Sequence, residues 1–435
     1  MKESLFALKG TFAHTPKPES FIFEEDSYLV CHQGRVEGIY PELPKAYENI
    51  HVYDFSDKLI IPGMCDMHLH APQYAYRGIG MNIENPEWGT WFERYAFPDE
   101  SRYADLDYAR LAYTRFVDDW MKTTTTRGCI YATIHRPATL LLMELLADRG
   151  FAAYVGKVNM DRNSIPGLLE TTEESISETL AWLDDCQDRF AEVKPMLTPR
   201  YTPSCSDELM EALGAIAIER NIPVQSHLSE GLDEIEWVYE LKPGLSCYGQ
   251  AYDMYHMFGS DVPAVMAHCV YPNDCEFDLM SRRKQLMVAH CPQSNFSSSG
   301  GVAPVKRYLK AGVQVGLGSD MAGSNTLSLL RIMADAVLAS KALWAFTERK
   351  MDPYAKRNVL SLSEAFYLST KGGGALWGDV GSFEDGFLLD AVVLDESRLK
   401  DLNERSFYER LERLILLSDD RDIVAKFING RQVYG

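Results

Sequence analysis

The sequence has little of what marks secreted, membrane-spanning or nucleic-acid-binding proteins. Its nine cysteines are odd in number and scattered, with no Cys-x-x-Cys pair, which predicts reduced thiols in a cytoplasmic protein rather than a disulfide framework. No run of about 18 apolar residues occurs, so neither a membrane span nor a signal peptide is expected. Acidic residues outnumber basic ones, 63 to 43, and the formal charge of −20 disfavours binding to nucleic acid.

From Gly63 onward, short β-rich runs alternate with longer helical patterns. The segment 206–216 is typical of the latter, because Ser206 is suited to cap a helix whose first turn is acidic and whose apolar residues recur at helical spacing. Eight βα units predict a (β/α)8 barrel. The eight runs are Gly63–His70, Thr125–Thr133, Ala152–Met160, Val193–Tyr201, Pro223–Glu230, Ala264–Tyr271, Leu286–Asn295 and Val313–Asp320.

Short strands are also predicted at both ends of the chain, where turn signals are closely spaced. We therefore expect an α/β protein in which residues 63–374 form a metal-dependent catalytic barrel and residues 1–62 and 375–435 form a small β-sandwich domain. The terminal strands and turns are Phe21–Phe23, Tyr28–Cys31, a turn at Gln33–Gly34, Val36–Tyr40, Phe387–Leu394 and a hairpin around Asn429–Gly430.

Histidines are concentrated at the predicted C-terminal ends of the barrel strands, where the chemistry of such barrels is found. Only ten histidines are present, and four of them, His68, His70, His227 and His268, fall at these ends. His68 and His70 are two residues apart, so on a strand their imidazoles project from the same face. Asp320 ends the eighth predicted strand. This placement predicts a shared site.

Three imidazoles and one carboxylate suit Zn²⁺ or Fe²⁺ with a coordination position left for water, and the predicted ligands are His68, His70, His227 and Asp320. The fourth strand ends in Arg200, which cannot bridge two cations, so we expect one metal ion. The other histidines have simpler interpretations: His135 is a possible pocket residue, His256 belongs to a helix surface, and His290 competes as a strand-end group.

The expected chemistry is metal-assisted hydrolysis at an electrophilic carbon that bears an amine. Asp320 can accept a proton from water, His268 can hydrogen-bond the hydroxide or the developing oxyanion, and Glu230 can shuttle a proton to the substrate. Each has a structural alternative. Asp320 can cap the following helix, Glu230 can be a first-turn acid of the helix 231–241, and His268 can hydrogen-bond the core.

These residues lie in motifs that resemble the amidohydrolase superfamily and, within it, the guanine deaminase family. The similarity runs from about Ile60 to the tail and is weakest over residues 1–58. The motifs that carry it are Pro62–Gly63 with Asp66–His70, His70–Tyr74, Ala132–His135, Val155–Val158, Thr171–Ile176, Thr198–Ser206, Gln225–Glu230, His290–Asn295, Gly316–Asp320 and Asp419–Ile423.

The resemblance implies hydrolytic deamination of guanine to xanthine and ammonia, one Zn²⁺ per chain with Fe²⁺ as the alternative, and a homodimer. It implies that Gln73 and Arg200 read the polar edge of guanine and that Tyr201 packs on the ring. An amide can satisfy both N–H donors and carbonyl acceptors, and a guanidinium suits the carbonyl. As alternatives, Arg200 is an ion-pair partner inside the barrel mouth and Gln73 is a loop amide.

The sequence departs from the family pattern in four places. Tyr201 stands where the family often has Phe, Pro72 replaces Ser, and Ser319 replaces Thr; a lid-like stretch, Glu87–Trp91, is longer than usual. Two rival functions follow. One is a related amidohydrolase acting on an oxidised purine, a pterin or a triazine; the other is a non-catalytic barrel used as a scaffold.

Overall fold

The strands of the computed structural model, which describes residues 5–80, 91–399 and 401–435, form one sheet from both chain ends and several parallel sheets from the middle. In chain order they are β1 (Leu5–Lys17), β2 (Ser20–His32), β3 (Arg35–Tyr40), β4 (His51–Pro62), β5 (Met64–His70), β6 (Thr125–Tyr131), β7 (Ala152–Gly156), β8 (Val158–Asn159), β9 (Val193–Pro195), β10 (Thr198–Pro199), β11 (Val224–Leu228), β12 (Ala264–His268), β13 (Leu286–His290), β14 (Gln314–Leu317), β15 (Ala391–Leu394), β16 (Ile423–Ile428) and β17 (Arg431–Tyr434).

Helices follow most of the central strands, as the alternating pattern predicts. The predicted Ser206 cap is confirmed, since its hydroxyl accepts a hydrogen bond from the backbone N–H of Leu209. The helices are Phe97–Ser101, Leu106–Met121, Arg136–Asp148, Thr172–Cys186, Asp207–Arg220, Leu232–Leu241, Gln250–Asp253, Asp274–Arg282, Pro292–Ser297, Val305–Lys310, Leu329–Phe346, Glu348–Met351, Leu362–Tyr367 and Phe407–Leu417. None of these described helices is long and apolar enough to cross a membrane.

The terminal strands form one seven-stranded sheet in the order β17-β16-β15-β4-β1-β2-β3. Its pairs are antiparallel except that β1 and β4 run parallel. Near the N-terminus the strands are longer than predicted, since the predicted strands 21–23 and 28–31 both belong to β2. Near the C-terminus the strand is shorter than predicted, since only Ala391–Leu394 of the predicted 387–394 forms β15. A division into two facing sheets remains a prediction.

The central strands lie in two four-stranded parallel sheets, β5-β6-β7-β9 and β11-β12-β13-β14. Each of the eight predicted runs contains one of these strands, which confirms their existence and order. The first run ends at His70, as its strand does, but the other seven were predicted too long at their C-terminal ends. In particular, 292–295 belongs to the helix Pro292–Ser297, because Pro292 suits the first turn of a helix and has no N–H for a strand ladder.

Hydrogen bonds connect the two central sheets at both sides. An isolated parallel bridge joins Leu197, between β9 and β10, to Val224, the first residue of β11. At the other side, the N–H of Asp320 donates to the carbonyl of His68 at 2.8 Å and the N–H of His70 donates to the carbonyl of Met321 at 3.0 Å. These bonds bring the end of β14 against the end of β5, and so place the first and last predicted site segments side by side.

Candidate metal centre and active site

The first two predicted ligands, His68 and His70, lie on β5, which is buried along its whole length. Their side chains are 1% and 3% exposed, respectively. The alternation of a strand puts both imidazoles on one face, and their ring centroids are 5.0 Å apart. His227 on β11 and Asp320 after β14 come from other strands and close the group.

The nitrogen and oxygen atoms of these four residues are spaced like the ligands of one ion. Nε2 of His70 lies 3.2 Å from Nε2 of His227, and Nε2 of His68 lies 3.2 Å from Oδ1 of Asp320. Oδ1 of Asp320 is also 3.8 Å from Nε2 of His70. Four atoms placed tetrahedrally about 2.0–2.1 Å from a zinc ion are separated by about 3.3 Å. The separations therefore fit a single metal ion.

The hydrogen-bonding state of the imidazoles supports the same conclusion. Nδ1 of His227 lies 2.6 Å from the backbone carbonyl oxygen of Arg200, so the ring donates there and its Nε2 faces the cluster. Nε2 of His68 lies 3.2 Å from Oδ1 of Asp320, and Nε2 of His268 lies 3.1 Å from Oε2 of Glu230. In these two rings, as in His227, Nε2 therefore faces the cluster.

The protonation states favour ligand behaviour. Burial, reinforced by neighbouring imidazoles and by Arg200, lowers the pKa values of His70 and His227 well below 6.5. Burial by itself raises the pKa of Asp320, but the charge and hydrogen bond of His68 outweigh it, and the net pKa lies well below 3.8. Neutral imidazoles and an ionised carboxylate are the forms that bind divalent metals.

Glu230 and His268 lie beside the predicted ligands. Oε2 of Glu230 is 3.1 Å from Nε2 of His268, which is 3.8 Å from Oδ2 of Asp320. Burial and the charge of Asp320 raise the pKa of Glu230 well above 4.5, and burial lowers the pKa of His268 to about 4. A carboxyl group that holds its proton near neutral pH can act as a proton shuttle. The raised pKa of Glu230 fits a group that can give a proton to a substrate.

Asn295 orients His268 from the opposite side of the ring. Its Oδ1 lies 2.9 Å from Nδ1 of His268, and Asn295 is fully buried. If Nδ1 donates to this oxygen, Nε2 is the nitrogen left to face Glu230 and Asp320. Sequence reasoning placed Asn295 in a motif but gave it no role.

Four residues at the strand ends adopt left-handed backbone conformations that side-chain-bearing residues seldom take. The φ angles are +72° at His268 and +49° at Ser229, Cys269 and Asp320. Such conformations cost free energy and concentrate at functional sites. Here they turn the chain sharply at the ends of β11 and β12 and after β14, where the reactive side chains project.

Two adjoining cavities meet at His227, Glu230 and Phe92. We call them the metal-side cavity, which Gln73, His268 and Asp320 also line, and the outer cavity, which Arg200 and Tyr201 also line. The ring of Tyr201 packs edge-on against Trp237 with centroids 6.1 Å apart. The predicted base-reading residues thus lie around Glu230 but in the walls of different cavities.

Gln73 and Arg200 are joined by a residue that the sequence did not reveal. Nη1 and Nη2 of Arg200 lie 2.8 and 3.2 Å from the carboxylate of Glu100, and Nε2 of Gln73 donates to the same carboxylate at 2.8 Å. Arg200 is therefore an ion-pair partner, as the simpler interpretation held. Arg200 also lines the outer cavity, so its ion pair with Glu100 and its predicted role in reading the base are compatible.

The remaining histidines lie apart from the predicted ligand set. His135 precedes the helix Arg136–Asp148 and lines neither of the two cavities. His256 is exposed and paired with Asp261, as predicted for a surface residue. His290 is buried on β13, and burial lowers its pKa to about 3. Of the lid-like stretch 87–91, only Trp91 is among the described residues, where it lines the metal-side cavity.

Comparison with known proteins agrees with the geometry. Residues 59–433 match the model of the Amidohydrolase family. A relative described as a guanine deaminase from Dictyostelium discoideum is 38% identical over 418 residues, which cover 94% of this chain and 88% of the relative. The human guanine deaminase is 37% identical over 389 residues, 86% of this chain and 83% of that protein. The chain therefore belongs to the amidohydrolase family.

A solved structure gives the same match in three dimensions. The guanine deaminase from C. acetobutylicum, crystallised with guanine bound in its active site, superimposes with a TM-score of 0.94 at 40% identity. The match covers 99% of this chain and 100% of that chain. The similarity thus extends over both the terminal sheet and the central strands.

Proposed function

We propose that this protein hydrolyses guanine to xanthine and ammonia. The observation that carries the proposal is the convergence of five polar side chains at the C-terminal ends of parallel strands around one cavity, with His68 directly behind them. The five are His70, His227, Glu230, His268 and Asp320, and Nε2 of His68 lies 3.2 Å from Oδ1 of Asp320. The extensive similarity to guanine deaminases supports guanine as the substrate.

We propose that His68, His70, His227 and Asp320 hold one metal ion per chain, Zn²⁺ with Fe²⁺ as the alternative. Such an ion, when bound, lowers the pKa of water and so makes it a usable nucleophile near neutral pH. Two overlapping clusters that share His68 support this assignment: His68 with His70 and His227, and His68 with His268 and Asp320.

The chain's own residues then handle the protons. The reaction joins a water oxygen to C2 of guanine and breaks the bond from C2 to the amine. Asp320 accepts a proton from water, Glu230 gives its proton to a ring nitrogen and later carries one to the leaving amine, and His268, whose Nδ1 donates to Asn295, accepts a hydrogen bond at Nε2 from the attacking hydroxide. The separation of 3.1 Å between Glu230 and His268 lets both act on one substrate.

We assign substrate reading to Gln73, Arg200 and Tyr201. Gln73 lines the metal-side cavity next to His70, and Arg200 and Tyr201 line the outer cavity next to Glu230. A guanidinium group is suited to the carbonyl oxygen of guanine, and an amide can match both a donor and an acceptor. The aromatic ring of Tyr201 offers an apolar surface for the purine.

The predicted domain organisation accompanies this function. We propose a closed (β/α)8 barrel over residues 63–374 and a small β domain from 1–62 and 375–435. The change of sheet between β4 and β5, and the hydrogen bonds between the ends of β14 and β5, support it. The nine cysteines are free thiols, which supports a cytoplasmic location. The homodimer follows from the family resemblance alone.

The direct test uses purified protein loaded with zinc. Guanine is supplied, and xanthine and ammonia are measured together with side-by-side kcat/KM values for an oxidised purine, a pterin and a triazine. Guanine should be the best substrate by a wide margin. Protein that leaves guanine untouched while hydrolysing another of these heterocycles contradicts the proposal, and metal-loaded protein inert toward all of them supports a scaffold.

A further inference from the structure

Glu100 connects the two residues that we assign to reading the purine. It lies in the helix Phe97–Ser101, is 1% exposed, and lines neither of the two cavities. Its carboxylate contacts Arg200 on one side and Gln73 on the other. Building on the proposed function, we propose that Glu100 is a positioning residue that sets the specificity of this site for the carbonyl edge of the base.

The first step of the argument concerns the orientation of the Gln73 amide. An ionised carboxylate only accepts hydrogen bonds, so the group of Gln73 that faces Glu100 is the NH2 group. The other end of the amide then receives the backbone N–H of Ala322, which lies 3.2 Å from Oε1. Two independent contacts therefore prevent the amide from flipping. One N–H and one lone pair of Gln73 remain for a ligand.

The second step concerns Arg200. Two of its five N–H groups point to Glu100, one from each Nη atom, which leaves three for other partners. The rings of Phe92 and Phe97 lie 5.3 Å from its Cζ atom and restrict the guanidinium further. With the planar group held in this way, its remaining donors have fixed directions. Arg200 has further donors for a carbonyl oxygen without losing its ion pair.

The donors and acceptors left over match one edge of the substrate. The six-membered ring of guanine has a carbonyl oxygen at C6 and an N–H at N1, side by side. A donor from Arg200 suits the carbonyl, and the free lone pair of Gln73 suits the N–H. Glu100 makes this pairing selective because it fixes which end of Gln73 donates. A neutral amide at position 100 could donate as well as accept, so only the backbone N–H of Ala322 would then fix the orientation of the Gln73 amide.

The test uses two ligands that lack the 2-amino group and so bind without reacting. Hypoxanthine keeps the C6 carbonyl and the N1–H, whereas unsubstituted purine has neither. Both are measured as competitive inhibitors of guanine deamination by zinc-loaded protein. In Glu100→Gln the inhibition constant of hypoxanthine should rise roughly tenfold or more, because the charge-assisted hydrogen bonds of Glu100 with Gln73 and Arg200 are lost. The inhibition constant of purine should change by less than about threefold.

A second variant and a control separate positioning from simple support of the fold. Glu100→Asp keeps the charge beside Arg200 but shortens the side chain by one methylene, so it should lose part of the discrimination. Glu170→Gln is the control, because Glu170 forms a comparable pair with the buried Lys157, at 2.8 and 2.9 Å, away from both cavities. It should lower thermal stability and leave the ratio of the two inhibition constants unchanged.

The outcomes are distinguishable. If wild-type protein does not deaminate guanine, the proposed function fails. If wild-type protein deaminates guanine but binds hypoxanthine and purine equally, the roles of Gln73 and Arg200 are wrong, and this inference is wrong with them. If wild-type discrimination persists in both Glu100 variants, or if both ligands weaken by the same factor, Glu100 is structural only and the inference alone is overturned.

Discussion

Nδ1 of His227 and the backbone carbonyl oxygen of Arg200 lie 2.6 Å apart. A carbonyl oxygen only accepts, so this contact holds the imidazole with Nε2 directed at His70 and His68. Arg200, whose side chain lines the outer cavity, therefore orients the predicted metal ligand His227 through its backbone carbonyl. This hydrogen bond joins the proposed metal site and the proposed substrate-reading wall in one unit.

The metal content of the purified protein tests the predicted ligand set directly. We expect about one zinc or iron ion per chain in wild-type protein and a large loss of bound metal in His227→Ala, because removal of one of four ligands weakens a tetrahedral site severely. The measurement is elemental analysis after dialysis against metal-free buffer. His256→Ala, which removes an exposed histidine paired with Asp261, should keep the wild-type metal content. Equal metal content in both variants contradicts the ligand assignment.

Glu230 should be dispensable for the fold and for metal binding but not for turnover. In Glu230→Gln the side chain keeps its size and loses its transferable proton, so kcat should fall by a factor of about 10²–10⁴. Because the pKa of Glu230 is raised mainly by burial, the neutral amide should be tolerated at this position. The comparison is between steady-state kinetics and metal content of the same preparation.

A matched control for this substitution lies on the next helix. Glu236, which is exposed on the helix Leu232–Leu241, undergoes the same chemical change in Glu236→Gln. This variant should retain wild-type turnover. Retention of activity in Glu230→Gln would remove Glu230 from its assigned role, whatever the behaviour of the control.

The convergence of the strand-end residues could be predicted because their signal is local. His68 and His70 are two residues apart on an apolar run, and the alternation of a strand then fixes their common face. The order of βα units placed His227, His268 and Asp320 at the same edge. In each case the residue type and its position in one short segment contained the necessary information.

Glu100 could not be found in that way. It is separated from Arg200 by 100 residues and from Gln73 by 27, and it lies in a five-residue helix with no distinctive pattern. An acidic residue in such a helix is ordinarily exposed, and only the packing around it shows that it is buried. The contact of Asn295 with His268 was missed for a related reason, because 292–295 was predicted as strand rather than helix.

Tyr201 tests how much of the substrate wall depends on aromatic surface rather than on a hydroxyl group. Its ring packs against Trp237, so Tyr201→Phe should preserve this contact and change kcat/KM for guanine by less than about threefold. Tyr201→Ala removes the ring and should raise KM by roughly tenfold. A loss in Tyr201→Phe as large as that in Tyr201→Ala would assign a direct substrate contact to the hydroxyl.

His14 gives the stability of the protein a predictable pH dependence far from the active site. It is buried on β1, Nδ1 accepts a hydrogen bond from the N–H of Phe383 at 3.2 Å, and burial lowers its pKa from 6.5 to about 4. Between these values the unfolded chain binds more protons than the folded chain, so the free energy of unfolding falls as the pH falls. From pH 7 to pH 5 this residue should account for a loss of about 2 kcal/mol in the free energy of unfolding.

Denaturant unfolding of metal-free wild-type and His14→Asn protein at both pH values isolates the contribution of His14, because the other titrations cancel in the difference. The advantage of wild type over the variant should therefore shrink at pH 5, and a constant advantage would mean that His14 titrates alike in both states.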